Sequence, residues 1–307
     1  MIIFTHLFAI ALSFNLYSMA ATGFPQVNQQ LGSSFVKRTT LETDWNIPFA
    51  SNVDKLILRG NQLVSQRKYK LAIKVYSEAI AYDPRNIVAL VNRGITYTHM
   101  SDTNRAIADY SSALRLDGDF IAALHNRAIL YHSTGRFTLA LADLSAVIKI
   151  APEFTAAFSA RGIVYFQKGA FHKAIQDYTE VARRQPKNTD ARFNLGLAYA
   201  KLGKPRSALS EYTDVLTIKP NHIASLIARA RTYRSLGRLT LALADVDRAL
   251  EQGNGSSNAF DVRGVILLDL GRCRDALKDF KKVIQLDPLT TRTNHLPICN
   301  NRKRRRD

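Results

Sequence analysis

From Val53 to Thr290 the apolar and polar residues follow the spacing of helices, and the pattern recurs every 34 residues, seven times, without insertion or deletion. Counting from Val53, positions 4, 8 and 11 of each unit share one helical face, and positions 20, 24, 27 and 28 share another. Each unit therefore reads as two amphipathic helices. Position 8 is Gly60, Gly94, Ala128, Gly162, Gly196, Ala230 and Gly264, and position 20 is alanine throughout, from Ala72 to Ala276. Small residues at both places predict closely approaching axes, with the position-8 residue facing the position-20 alanine. Gly135, Gly169, Gly203, Gly237 and Gly271 at position 15 suit a tight connection between the two helices. Pro84, Pro152, Pro186, Pro220 and Pro288 at position 32 end the second helix, because the residue before proline is pushed out of the α region. A lone helix pair cannot bury its apolar stripe, so neighbours must stack. A period of this size predicts a solenoid whose function lies on a long surface.

Position 11 reads Leu63, Tyr97, Tyr131, Tyr165, Tyr199, Tyr233 and Leu267, and position 24 reads Tyr76, Tyr110, Leu144, Tyr178, Tyr212, Val246 and Phe280. With the small residues and the terminal proline, this pattern resembles the tetratricopeptide repeat family over about three quarters of the chain. The resemblance implies an all-α fold, a right-handed α-solenoid of stacked antiparallel helix pairs. The repeats would be 53–86, 87–120, 121–154, 155–188, 189–222, 223–256 and 257–290.

The flanks differ in character. Residues 1–21 are apolar, too short for a comfortable membrane span, and end in small residues suited to signal cleavage, although Lys and Arg are missing from the start. They are read as a signal peptide of an exported, periplasmic or secreted protein, with an uncleaved anchor as the alternative. Residues 22–52 lack helical periodicity and read as a linker or lead-in segment, in which Trp45 and Phe49 are candidates to pack on the first helix. Residues 291–307 are polar and basic, with a block at Arg302–Arg306, and read as a disordered tail. Cys273 and Cys299 are the two cysteines; a disulfide and two thiols both remain open. Gly253–Gly255, without a proline, marks a candidate hinge after the sixth repeat.

Charge enters the pattern at two positions. Position 7 holds Arg59, Arg93, Arg127, Arg161, Leu195, Arg229 and Arg263; position 23 holds Val75, Asp109, Asp143, Asp177, Glu211, Asp245 and Asp279. Such regular partners predict a half-buried ladder that sets repeat register, since removing one member would strand the other's charge. The pairs are expected within a repeat or between one repeat's second helix and the next repeat's first.

The resemblance also implies a binding surface. In tetratricopeptide proteins the first helices line a concave face, to which positions 2, 5, 9, 12 and 13 point. Here this assigns Asn61, Val91, Ile95, His99, His125, Ile129, His132, Phe166, Phe193, Leu197, Lys201, Arg231 and Arg234, with Asn92 beside them. The row is mostly apolar and nearly neutral, which suits an extended or helical peptide and disfavours nucleic acid. Family members that hold a chaperone's terminal carboxylate use two asparagines and three cations. Asn61 and Asn92 match the asparagines, but Ile57, Ala122 and Asn126 occupy the cation positions, so that specificity is not expected. Arg231 and Arg234 are candidates to grip an acidic group or to pair with Asp261 or Asp190. His99, His125 and His132 are read as hydrogen-bonding groove residues instead of metal ligands.

Phosphate loops, nucleophile elbows and metal-spaced His/Cys sets are missing, so neither catalysis nor a cofactor is expected. The leading expectation is a scaffold that binds a protein or peptide. The second is electrostatic attachment to an anionic polymer or membrane surface through the convex side and the tail, suggested by a net charge of +18. Leu277, Phe280, Val283 and Ile284 on the last helix lack an evident cap, which leaves a homodimer through this end open.

Overall fold

The computed structural model describes residues 51–252 and 255–288. The signal, linker and tail assignments, Cys299 and the Gly253–Asn254 joint lie outside the described residues. Among the described residues fourteen α-helices follow one another: α1 (Asn52–Ser65), α2 (Tyr69–Tyr82), α3 (Ile87–His99), α4 (Thr103–Leu116), α5 (Ile121–Ser133), α6 (Phe137–Ile150) and α7 (Thr155–Gln167). Then come α8 (Phe171–Arg184), α9 (Thr189–Lys201), α10 (Pro205–Ile218), α11 (Ile223–Ser235), α12 (Leu239–Glu251), α13 (Ser257–Asp269) and α14 (Cys273–Leu286). Among the described residues no helix is long and apolar enough to cross a membrane.

The described residues fall into two compact units, one up to Arg127 and one from Ala128 onward, divided within α5. In the first, α1 packs on α2 and α3 on α4, and the pairs stack through α2 against α3 and α1 against α3. In the second, α7–α8, α9–α10, α11–α12 and α13–α14 pair in the same way, each second helix meeting the next first helix. This is an α-solenoid of paired helices, as the 34-residue period predicts.

Local chemistry sets the helix ends. Asn86, Asn188, His222 and Ser256 at position 34 accept a hydrogen bond from the third backbone N–H of the helix that follows, capping α3, α9, α11 and α13. Position 15 is left-handed in every repeat. Five of these residues are glycine, with φ between 71° and 75°, but Arg67 (φ 58°) and Ser101 (φ 60°) adopt the same conformation. Behind each, the next N–H reaches back five residues, as from Asp102 to Tyr97 O (2.9 Å), which satisfies a terminal carbonyl.

In the repeats with glycine at position 8, an aromatic ring closes the seam between the two helices. What fills the open side of the glycine is the ring at position 24. A Cβ built on Gly60, Gly94, Gly162, Gly196 or Gly264 would lie 2.3–2.7 Å from the ring of Tyr76, Tyr110, Tyr178, Tyr212 or Phe280 respectively. These rings are almost wholly buried, as are the position-20 alanines. Where position 24 is aliphatic, Leu144 or Val246, position 8 is alanine, Ala128 or Ala230. Close axes therefore come from an aromatic ring laid over a bare backbone.

The ion pairs form within repeats and tie successive repeats together. Arg93 holds Asp109, Arg161 holds Asp177, Arg229 holds Asp245 and Arg263 holds Asp279, each through two N–H···O bonds of 2.7–2.9 Å. Each arginine's remaining nitrogen donates to position 25 of the repeat before: Ser77, Ser145, Thr213 and Asp247. Arg127 likewise donates to Ser111; its expected partner Asp143 belongs to the other unit. Burial lifts the Asp177 carboxyl above its usual range even though Arg161 pulls it down. An ion pair of this kind adds little net stability, whereas removing one member would strand the other's charge.

At the last helix, Phe280 and Val283 turn inward and are buried, while Leu277 and Ile284 are half-buried. Two of the four residues expected to form an open end are therefore already covered by their own repeat.

Candidate functional site

The surface expected to bind is carried by the first helices, α1 and α3 in one unit and α7, α9, α11 and α13 in the other. In the first unit, Asn61 and Asn92 serve each other. The Asn61 Oδ1 accepts from the Tyr76 hydroxyl (2.7 Å) and from Asn92 Nδ2 (3.0 Å), joining adjacent repeats. Val91 is buried and Ile95 half-buried. His99 stacks on Tyr69 with centroids 5.2 Å apart, and its burial there lowers the imidazole pKa. His125 is buried, and loss of water pushes its pKa down to about 4 against a hydrogen bond with Asn126 that acts the other way.

In the second unit, His132 is buried with Nε2 2.7 Å from Gln167 Oε1, and its ring leans on Phe137. Phe166 is buried edge-on against Phe171, and Ile163 is buried beside it. Phe193 is half-buried between Tyr212 (6.0 Å) and His222 (5.5 Å). Ile129, Leu197 and Val265 at position 9 are half-buried as well. Lys201, Arg231 and Arg234 are exposed. Arg231 donates to Asn258 (2.5 Å) and Arg234 pairs with Asp269 (2.5 Å), both from the following repeat. These polar residues bridge neighbouring first helices. Aliphatic residues and Phe193 fill the surface between them. No group of three or more His, Cys, Asp or Glu among the described residues could hold a metal ion.

One polar element has no counterpart in the expected ladder. In the fifth repeat Arg192 Nη1 donates to Glu211 (3.1 Å) and Asp214 (2.7 Å), while Leu195 takes the arginine seat. A sequence signal existed: Leu195 breaks the arginine row in the same repeat in which Glu211 replaces aspartate. The hydroxyl row at position 25 was also visible as Ser77, Ser111, Ser145 and Thr213, recurring 16 residues before each arginine.

Sequence models described as TPR repeat match residues 60–101 and 164–203, and those described as tetratricopeptide repeat match 121–154 and 189–222. The chain carries tetratricopeptide repeats, and the fourteen helices among the described residues fit about seven of them. No curated protein matches it in sequence. Among solved structures, a tetratricopeptide repeat protein from Parabacteroides merdae is 23% identical over 81% of this chain and 97% of its own, with a TM-score of 0.62. The C-terminal part of a TPR repeat-containing protein from Cytophaga hutchinsonii is 19% identical, covering 76% and 96%, at 0.63. YrrB, described as a TPR protein with an unusual peptide-binding site, is 21% identical, covering 65% and 97%, at 0.53. At these identities the likeness is one of fold. The family supports a protein-interaction scaffold, and its members are generally non-catalytic.

Proposed function

We propose that this protein is a non-catalytic scaffold that takes an extended or helical segment of a protein partner onto its first helices. The observation that carries this reading is the row of half-buried aliphatics Ile129, Leu197 and Val265 with Phe193. Arginines held by Asn258 and Asp269 lie beside them. Apolar side chains between satisfied polar pairs suit a partner that inserts alternate or i, i+4 side chains while its backbone bonds elsewhere. The peptide-binding site in the description of YrrB gives the same direction by analogy. Capture from native extract with wild type and Phe193→Glu tests it. A partner retained by both proteins with equal affinity would refute it. The apolar segment 1–21 supports export of the repeats, and mass spectrometry of the native chain would then find an N-terminus near Thr22.

A further inference from the structure

In the unit from Ala128 onward, each first helix joins its second helix through a short turn, at 134–136, 168–170, 202–204, 236–238 and 270–272. Neighbouring turns share an edge, because residues just before them bond across repeats: His132 with Gln167, and Arg234 with Asp269. That edge is strongly positive. The turns and the opening residues of the helices after them (134–139, 168–173, 202–207, 236–241, 270–275) hold eight Lys or Arg against one carboxylate, Asp275. Asp275 is already taken by Arg272 and Lys278. Connections on the other edge, at 151–154, 185–188 and 219–222, hold only Lys187 and Lys219, with Glu153. Eight of this unit's Lys and Arg are thus gathered on the turn edge.

Local stability does not explain it. Cations at the start of a helix oppose the macrodipole, and Lys168, Lys204, Arg206, Arg238 and Arg274 have no ion pair among the described residues. Between them stand exposed leucines: Leu139 (47% exposed), Leu236 (38%), Leu241 (48%) and Leu270 (36%). The aromatic residues of these stretches turn the other way, Phe137 onto His132 and Phe171 onto Phe166, so nucleic-acid bases would find no stacking platform. Unpaired cations interleaved with exposed leucines match a different surface, one with anionic headgroups above an apolar layer.

We propose that this turn edge docks the protein on a bilayer containing anionic lipid, through Lys168, Lys204, Arg206, Arg238 and Arg274 with the leucines between them. The first-helix surface is not used, so partner binding and membrane docking succeed or fail separately. Flotation of the full chain with phosphatidylcholine vesicles, with and without phosphatidylglycerol, is the test. Binding is expected only with the anionic lipid and should weaken as salt rises. At about five-fold per surface cation, the variant K204E/R206E/R238E/R274E loses about a hundred-fold or more in affinity. K187E/K219E on the other edge keeps its binding, and L236S/L241S binds less with an unchanged salt dependence. Melting curves by circular dichroism verify the fold of each variant, and K204Q/R238Q is expected to give a smaller drop in the same direction. Undiminished flotation of the reversal variant would overturn the proposal, because the chain would then be held by its apolar start or basic end. Equal binding to neutral vesicles would overturn it too, as would tight binding to heparin or single-stranded RNA with none to vesicles.

Discussion

Arg192 and Leu195 stand one turn apart on α9 in the reverse of the order found in the other six repeats. Elsewhere position 4 is Leu or Phe and position 7 is Arg; here the cation comes first and the apolar residue second. Leu195 is only 3% exposed, so the arginine seat accepts a hydrocarbon, and Arg192 reaches Glu211 and Asp214 from the displaced site. Burial raises the Glu211 carboxyl pKa, with Arg192 opposing the shift. Removing the cation alone, by Arg192→Leu, leaves that carboxylate half-buried without its partner and should lower stability by about 1–3 kcal/mol. The triple change Arg192→Leu, Leu195→Arg and Glu211→Asp rebuilds the common arrangement and should recover most of the loss. Thermal melts of the two variants decide; a triple variant no better than the single one would show that the two arrangements are not interchangeable.

The glycine-to-ring seam gives a second exchange. In Gly162→Ala the new methyl would press on the buried ring of Tyr178, whose Cε1 lies 2.7 Å from the built Cβ. Such overpacking costs about 1–3 kcal/mol. Ala128 and Leu144 show the natural alternative, so Gly162→Ala combined with Tyr178→Leu should be more stable than the sum of the two single losses. Additive losses in a double-mutant cycle measured by urea denaturation would disprove the coupling.

Strain at the turns of the first two repeats can be relieved. Arg67 and Ser101 are, among the described residues, the non-glycine residues with positive φ, in a conformation that glycine adopts at the matching place in the other five repeats. Ser101→Gly is expected to raise stability by about 0.5–1 kcal/mol, the relief of steric cost exceeding the added freedom of the unfolded chain. Gly169→Ala, with φ 74° at its site, should lower stability by a comparable amount. Calorimetric melting temperatures moving in opposite directions are the expected outcome.

Much of this architecture was legible in the residues because a 34-residue period repeats each local decision seven times. Helix pairing, the position-15 turns and the Arg/Asp rows all emerged as columns. What escaped were relations between columns. The spacing pairs glycine at position 8 with alanine at position 20 but does not reveal the ring at position 24 that lies over the glycine, as Tyr178 lies over Gly162. That correlation needs two columns read together. The candidate surface was harder still. Whether Asn61 faces solvent or Asn92, and whether Arg234 reaches outward or to Asp269, depends on side-chain distances across repeats that periodicity does not encode. Left-handed Arg67 and Ser101 were hidden because their residue types give no hint of positive φ.

Acid should weaken the fold through its buried histidines. His125 keeps its neutral form down to about pH 4 when folded, because burial disfavours the imidazolium, whereas the unfolded chain takes up that proton near pH 6.5. Stability from this group is therefore full above about pH 6.5 and falls as pH drops toward 4, at about 1.4 kcal/mol per unit inside that interval. Burial lowers the pKa of His99, His132 and His222 as well, so they add slopes of the same sign. Asp177 and Glu211, whose carboxyl pKa values burial raises, oppose the trend near its acidic end. Comparing wild type with His125→Asn removes those shared contributions. Whatever the substitution costs at pH 7, urea midpoints at pH 7 and pH 5 should lie closer together in the variant than in wild type. Equal shifts in both proteins would mean that His125 takes up its proton in the folded state as readily as in the unfolded one.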